Sequence, residues 1–216
     1  MVNNAFLPDS ARGAERRLIL SYARVERRGG LAALLALDDA LGDILRSTRE
    51  PMVGQMRLTW WHDAVVALDT MPAPAQPILR GLAEFVPSGT SGASLAPLAD
   101  GWGELLDEVP DLEAYAEARG TTLFLAAGAL LGAGPGDPVA LAGRGWALAD
   151  LAANTIDATL AERARTLAAP LLGEATGARW SRPARPLGAM AHLAAMPDAP
   201  GTRRVARALW HRLAGR

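Results

Sequence analysis

Apolar residues recur at intervals of three and four along almost the whole chain, and few β-branched residues alternate with polar ones. Leu31, Leu34, Leu37, Leu41, Ile44 and Leu45, placed at 100° steps, make one broad apolar face. That is the repeat of a helix, and no Asn-Gly or Asp-Gly dipeptide sits between alternating runs to suggest a hairpin. The spacing predicts helices over 10–24, 27–47, 52–69, 74–85, 94–107, 111–131, 138–158, 160–171, 185–195 and 201–213. Breakers fall between them at Glu50-Pro51, Met71-Pro72, Pro87-Ser88-Gly89, Val109-Pro110, Gly134-Pro135-Gly136 and Met196-Pro197. The chain reads as an all-α bundle, and its 216 residues as a single domain, 1–216, with no internal repeat. Two segments, 87–93 (PSGTSGA) and 173–186 (GEATGARWSRPARP), read as loosely held.

Half of the composition is apolar, enough for a sizeable core, and the formal net charge of −1 implies no overall attraction to nucleic acid. No lysine occurs, so all 22 basic residues are arginine. Cysteine is absent, which excludes disulfides, thiolate metal sites and a thiol nucleophile. The three histidines lie far apart in sequence, so a histidine-rich metal site is not expected. The start, MVNNAFLPDSARGAERR, lacks the basic and apolar regions of a secretory signal. A cytoplasmic location is the expectation, with peripheral attachment to the inner membrane as the variant.

The longest nearly apolar run, 123–134, is about half of the roughly 20 residues needed to span a bilayer and reads as a buried core helix. Within it, Gly128 and Gly132 form a small-xxx-small pair suited to close helix packing. From Arg203 onward, five arginines and His211 surround Val205, Leu209, Trp210 and Leu213. This amphipathic helix is expected to pack on the bundle through one apolar stripe; a membrane-surface or acidic-partner site is the other reading.

The acids carry the chemical question. Carboxylates four apart share a helix face, so Asp39 and Asp43 have the spacing of a metal-binding pair. Their phase turns both away from the apolar face, towards solvent, whereas Asp38 lies within or beside that face, either as an ion-paired, partly buried acid or as a cavity-lining group. Asp150, Asn154 and Asp157 fall together opposite Leu141, Leu148, Leu151, Ala152 and Ile156, as a solvated stripe or as the polar wall of a cavity. Tyr115 reads as packed with its hydroxyl bonded to a neighbour, or as lining a cavity. Arg57 and Asp63 are expected in ion pairs. Trp60 and Trp61 cannot share a face, so one should anchor the core and the other lie at an interface or cavity mouth. No GxSxG, GxxxxGK[ST] or HExxH motif occurs.

Several blocks resemble the squalene/phytoene synthase family. REPMVGQMRLTWWHDAV (49–65) is similar to that family's RDP.LGQIRL.WWRDAL block, and ARVERR (23–28) sits where the synthases carry an LPPEKR-like loop. DLEAYAEARGTTLFLAAGALLG (111–132) looks like their tyrosine-bearing helix leading into AG…LLG, and GRGWALADLAANTID (143–157) occupies the place of the second acidic motif. The resemblance implies an isoprenoid-synthase-like helical bundle around a central cavity, in which two acid-rich helices hold Mg²⁺ against prenyl diphosphates. Hard divalent cations of this kind take oxygen ligands from carboxylates and phosphate. Aligned with the family's AFCR..DDIVD, however, the outer two acids fall on Gly42 and Arg46, and only Asp43 meets an acid. In the second motif, resembling N..LRD..ED, an asparagine replaces one acid, an alanine another acid and a second alanine the arginine.

Three functions follow as expectations. The first is a divergent, weakly catalytic or non-catalytic protein that binds an isoprenoid or lipid or serves as an assembly factor, as the complex I assembly factors resembling this family do. The second is an active Mg²⁺-dependent head-to-head prenyltransferase condensing two farnesyl- or geranylgeranyl-type diphosphates. In that reading Asp38, Asp43, Asp150 and Asp157 are catalytic, Asp43, Asp150 and Asp157 hold the metal, and Tyr115, Asn154 and Arg57 bind substrate. The third is a helical scaffold with a protein partner and no ligand.

Overall fold

The computed structural model describes residues 10–85 and 90–216, and every regular element among them is helical. In order these are α1 (Ser10–Tyr22), α2 (Val25–Ser47), α3 (Pro51–Ala67), α4 (Pro77–Ala83), α5 (Gly92–Leu95), α6 (Pro97–Gly103), α7 (Leu112–Tyr115), α8 (Thr122–Leu131), α9 (Val139–Asn154), α10 (Ala158–Gly177), α11 (Arg185–Ala194) and α12 (Gly201–Ala214). A 3₁₀ turn, Glu104–Leu106, follows α6, and a π-helical turn, Ala116–Thr121, joins α7 to α8. One apolar core runs from Ile19 to Ala208, so the chain shares a single interior.

Local chemistry sets most boundaries. Pro51, Pro77 and Pro97 open helices, where a missing N–H is harmless. Gly132 closes α8 in the left-handed region at φ 83°, so it is a cap and not the second half of a packing motif. Gly128 does pack closely, its Cα facing Val139.

Some expectations change. The helix foreseen over 94–107 is split at Pro97, and the one over 111–131 is widened by the π turn. Pro87, Ser88 and Gly89 of the small-residue loop lie outside the described residues, and its end, Gly92 and Ala93, belongs to α5. The breaker-rich 173–186 segment is not loose. The buried stripe Ala161, Ala164, Ala168, Leu172 and Ala175 carries α10 on to Gly177. Beyond it, Trp180 is buried and donates from Nε1 to Ala175 O at 3.0 Å, while Asp137 accepts from Ser181 N at 2.7 Å.

The approach of α6, the π turn and α9 positions the site. A Cβ on Gly143 would sit 2.2 Å from Gly120 O, and one on Gly101 2.7 Å from Arg119 N. Only glycine allows these backbones to touch. No helix among the described residues is long and apolar enough to cross a membrane.

Candidate functional site

Arg119 lies at the point where those backbones meet. The π turn sets its side chain into the core, where it is 1% exposed. A bare guanidinium there would be very unfavourable, and two carboxylates from distant helices resolve this. Arg119 donates from Nε to Asp38 Oδ1 and from Nη2 to Asp38 Oδ2, both at 2.8 Å, and Nη2 also lies 2.8 Å from Asp150 Oδ2. Its Nη1 donates to the Tyr115 hydroxyl, which lies 3.4 Å from Ala147 O. The guanidinium carbon stands 4.1 Å from the ring centre of Trp102 and 4.7 Å from that of Trp146, within cation–π range.

Asp38 is 1% exposed and also accepts from Trp102 Nε1 at 3.0 Å. Burial pushes its carboxyl up, but the Arg119 charge and hydrogen bonds outweigh this and hold it below the usual carboxylate range. Arg119 is itself driven well above its ordinary value, since Asp38, Tyr115 and Asp150 together overcome its burial. Burial raises the Tyr115 hydroxyl well above its ordinary value, so it stays protonated. The network is thus a locked cluster across α2, the π turn and α9, in which one guanidinium is shared by two carboxylates.

Of the residues singled out by sequence, Asp38, Tyr115 and Asp150 come together here, with Asn154 at the edge donating to Asp150 Oδ1 at 3.1 Å. Asp38 is more deeply buried than the partial burial foreseen. Asp43 is exposed and pairs with Arg46 on its own helix, and Asp39 pairs with Arg16 at 2.6 Å. Asp157 does not share a face with Asp150: α9 ends at Asn154, and Asp157 caps α10 by accepting from Thr159 N at 2.9 Å and Leu160 N at 3.0 Å. That break also leaves Ile156 exposed. Arg57 makes no ion pair among the described residues; it donates to Ser47 Oγ at 3.1 Å and Thr48 Oγ1 at 2.8 Å. Asp63 is exposed, Trp61 packs on the core, and Trp60 is 51% exposed.

These placements do not suit Mg²⁺. Asp38 and Asp150 already share a guanidinium, Asp43 and Asp157 are committed elsewhere, and no group of three or more His, Cys, Asp or Glu among the described residues is arranged to hold a metal ion. Trp102 covers Gly42, where a side chain would meet the indole at 3.0 Å.

Beside the network opens a cleft of about 340 Å³ between α1, α9 and α11. Its apolar wall is Ile19, Trp146, Ala149, Ala153, Met190 and Leu193; Arg16, Asp150, Asn154, Glu15 and Arg204 supply polar groups. Arg16 Nη1 is buried without a hydrogen-bond partner among the described residues.

Sequence reasoning missed Arg119, Trp102 and Arg16. A signal for Arg119 was present, because it continues the stripe of Leu112, Tyr115 and Ala116 towards Leu123, the one cation on an apolar face. A second missed cluster joins His192 and His211, whose ring centres are 4.6 Å apart; separation in sequence did not keep them apart in space. In comparisons with known proteins the chain matches no family model, and no curated protein or solved structure is significantly similar to it.

Proposed function

We propose that this protein is a non-catalytic binder of an isoprenoid or similar lipid, built on a bundle like that of the squalene/phytoene synthases, with the cleft between α1, α9 and α11 as its binding site. One observation carries this reading: Arg119 stands between Asp38 and Asp150 and pairs with both. A fixed guanidinium takes up the carboxylates that a divalent cation would need, and it cannot dissociate with a product. The cleft, at about 340 Å³, falls at the low end of the roughly 300–1,000 Å³ of small-molecule sites and has their mostly apolar wall with few polar groups.

The resemblance over 49–65 supports the family likeness, and the altered acidic motifs support loss of turnover. The alternative, an active Mg²⁺-dependent head-to-head prenyltransferase, draws on the convergence of Asp38 and Asp150 from two helices. Two measurements separate these readings. Incubation with farnesyl or geranylgeranyl diphosphate and Mg²⁺ is expected to release no diphosphate; release abolished by Asp150→Ala would overturn the non-catalytic reading. Calorimetric titration with farnesol is expected to show binding that Ala153→Trp, at an exposed position on the cleft wall, removes. Absence of binding by the parent chain leaves the ligand-free scaffold, with a protein partner, as the function.

A further inference from the structure

A second groove, of about 870 Å³, lies between the α1–α2 junction, the start of α11 and the end of α12. Six arginines line it, Arg24, Arg27, Arg28, Arg182, Arg185 and Arg212, and among the described residues no acid does. In a chain of net charge −1 this is a strong local departure. Three of the six are in use. Arg28 donates to Leu20 O at 3.0 Å, Arg185 to Leu213 O at 3.2 Å, and Arg212 stacks over the Tyr22 ring at 4.9 Å. Arg24, Arg27 and Arg182 are exposed, with no ion pair among the described residues. Two residues of the groove wall also carry polar atoms, the Tyr22 hydroxyl and Arg185 Nε, that are buried without hydrogen-bond partners among the described residues. Exposed cations converging on one groove suit a phosphate-bearing ligand.

Its surroundings indicate how that phosphate is presented. Val25 and Leu213, both lining the groove, are 74% and 77% exposed. Leu213 continues along α12 into Leu209, Val205 and Trp210, at 46%, 47% and 59%. The apolar stripe foreseen as the packing face of this helix therefore faces outward, and α12 is held instead through Ala208 and His211. Arg203 and Arg212, also exposed, flank the stripe. Apolar side chains between arginines form the arrangement that inserts into a lipid interface while the cations meet anionic headgroups.

We infer that this groove and the outer face of α12 form one docking surface for an anionic phospholipid membrane, the arginines meeting lipid phosphates and Leu209, Trp210 and Leu213 entering the interface. The inference is independent of the cleft between α1, α9 and α11.

Vesicle co-flotation of the full chain tests it. Binding is expected to vesicles of phosphatidylcholine mixed with phosphatidylglycerol, and not to phosphatidylcholine alone. The R24A/R27A/R182A variant is expected to partition roughly 100-fold more weakly, from about fivefold per arginine near an anionic surface. Leu213→Ser with Trp210→Ser should weaken binding with the arginines intact, and Ala153→Trp should leave it unchanged. All the substituted groove and stripe residues are exposed, and unaltered thermal melts verify folding. Equal binding by the triple arginine variant, or no binding by the parent, overturns the inference. So does displacement from vesicles by glycerol phosphate or inorganic pyrophosphate with no effect of the Leu213/Trp210 changes, which would mark a site for a soluble phosphate compound.

Discussion

Arg119 and His211 are both buried in the core, and the protein accommodates them in opposite ways. Arg119 keeps its charge and is surrounded by partners: Asp38, Asp150 and Tyr115 bond to it, and Trp102 and Trp146 cover its faces. His211 gives up its charge. Among the described residues no well-formed hydrogen bond reaches either ring nitrogen, though backbone groups of Arg216 and Arg185 lie near, and it packs against Trp180, His192 and Gly188. Burial pushes His211 down to about 4 despite the opposing pull of backbone groups of Arg216 and Arg185. Burial, with His211 and Arg207 nearby, takes His192 to about 3. A group that cannot lose its proton must recruit counter-charges from distant helices, whereas an imidazole can be buried neutral without one. The first region should therefore fail when a partner is removed, and the second when acid is added.

The sharpest way to break the comparison is Arg119→Leu. It leaves Asp38 buried beside only the more distant Arg16, and the expected loss is about 3–5 kcal/mol in urea denaturation. The double variant Arg119→Leu/Asp38→Leu should recover a substantial part of that, because the stranded charge is removed with its partner. If the single variant is near neutral, the network contributes little to the fold.

Acid should find the histidine region first. Unfolded, both histidines protonate near pH 6.5; folded, they resist until about 4 and 3. The unfolded chain thus binds protons that the folded chain does not, so stability is full above pH 6.5 and falls as pH drops towards 3. Each histidine removes about 1.4 kcal/mol per pH unit within its own window, from 6.5 down to about 4 for His211 and about 3 for His192. His192→Gln/His211→Gln should flatten the thermal-melt profile between pH 6 and 4; an unchanged slope would assign the acid sensitivity elsewhere. Asp38, held below its ordinary value, adds its own loss only at lower pH.

Smaller effects sharpen the assignment of the remaining acids. Asp157→Ala removes the cap of α10 and should cost about 1 kcal/mol in the same denaturation assay. Asp43→Ala removes only a surface pair with Arg46 and should change stability by less than about 0.5 kcal/mol. A large effect of Asp43→Ala on farnesol binding would return it to the site.

The helical class was legible because apolar spacing over stretches such as 31–45 admits no other regular structure, and the proline-marked start at Pro51 follows from a missing N–H, whereas the start at Pro97 was read through as helix interior. Asp38 was legible as lying by the apolar face, and Asp39 and Asp43 as turned from it, because helical phase is a local property. One failure came where phase was carried through a break, another where the side of a helix that faces the core was inferred from apolarity alone. Asp157 was read onto the face of Asp150, but the chain leaves the helix at Asn154. Val205, Leu209 and Leu213 were read as a packing stripe, yet α12 docks by small Ala208 and buried His211.

By itself, then, the sequence determined an all-α chain, its main helices and which acids lie near an apolar face, since these depend on residues within a few turns of each other. Only the tertiary structure decided that Arg119 would stand between Asp38 and Asp150, that His192 would meet His211, and that six arginines would share one groove. Those outcomes depend on how closely α6, the π turn and α9 approach through Gly101, Gly120 and Gly143, and on which side of α12 faces the core. No local pattern encodes the distance between helices that are far apart in the chain.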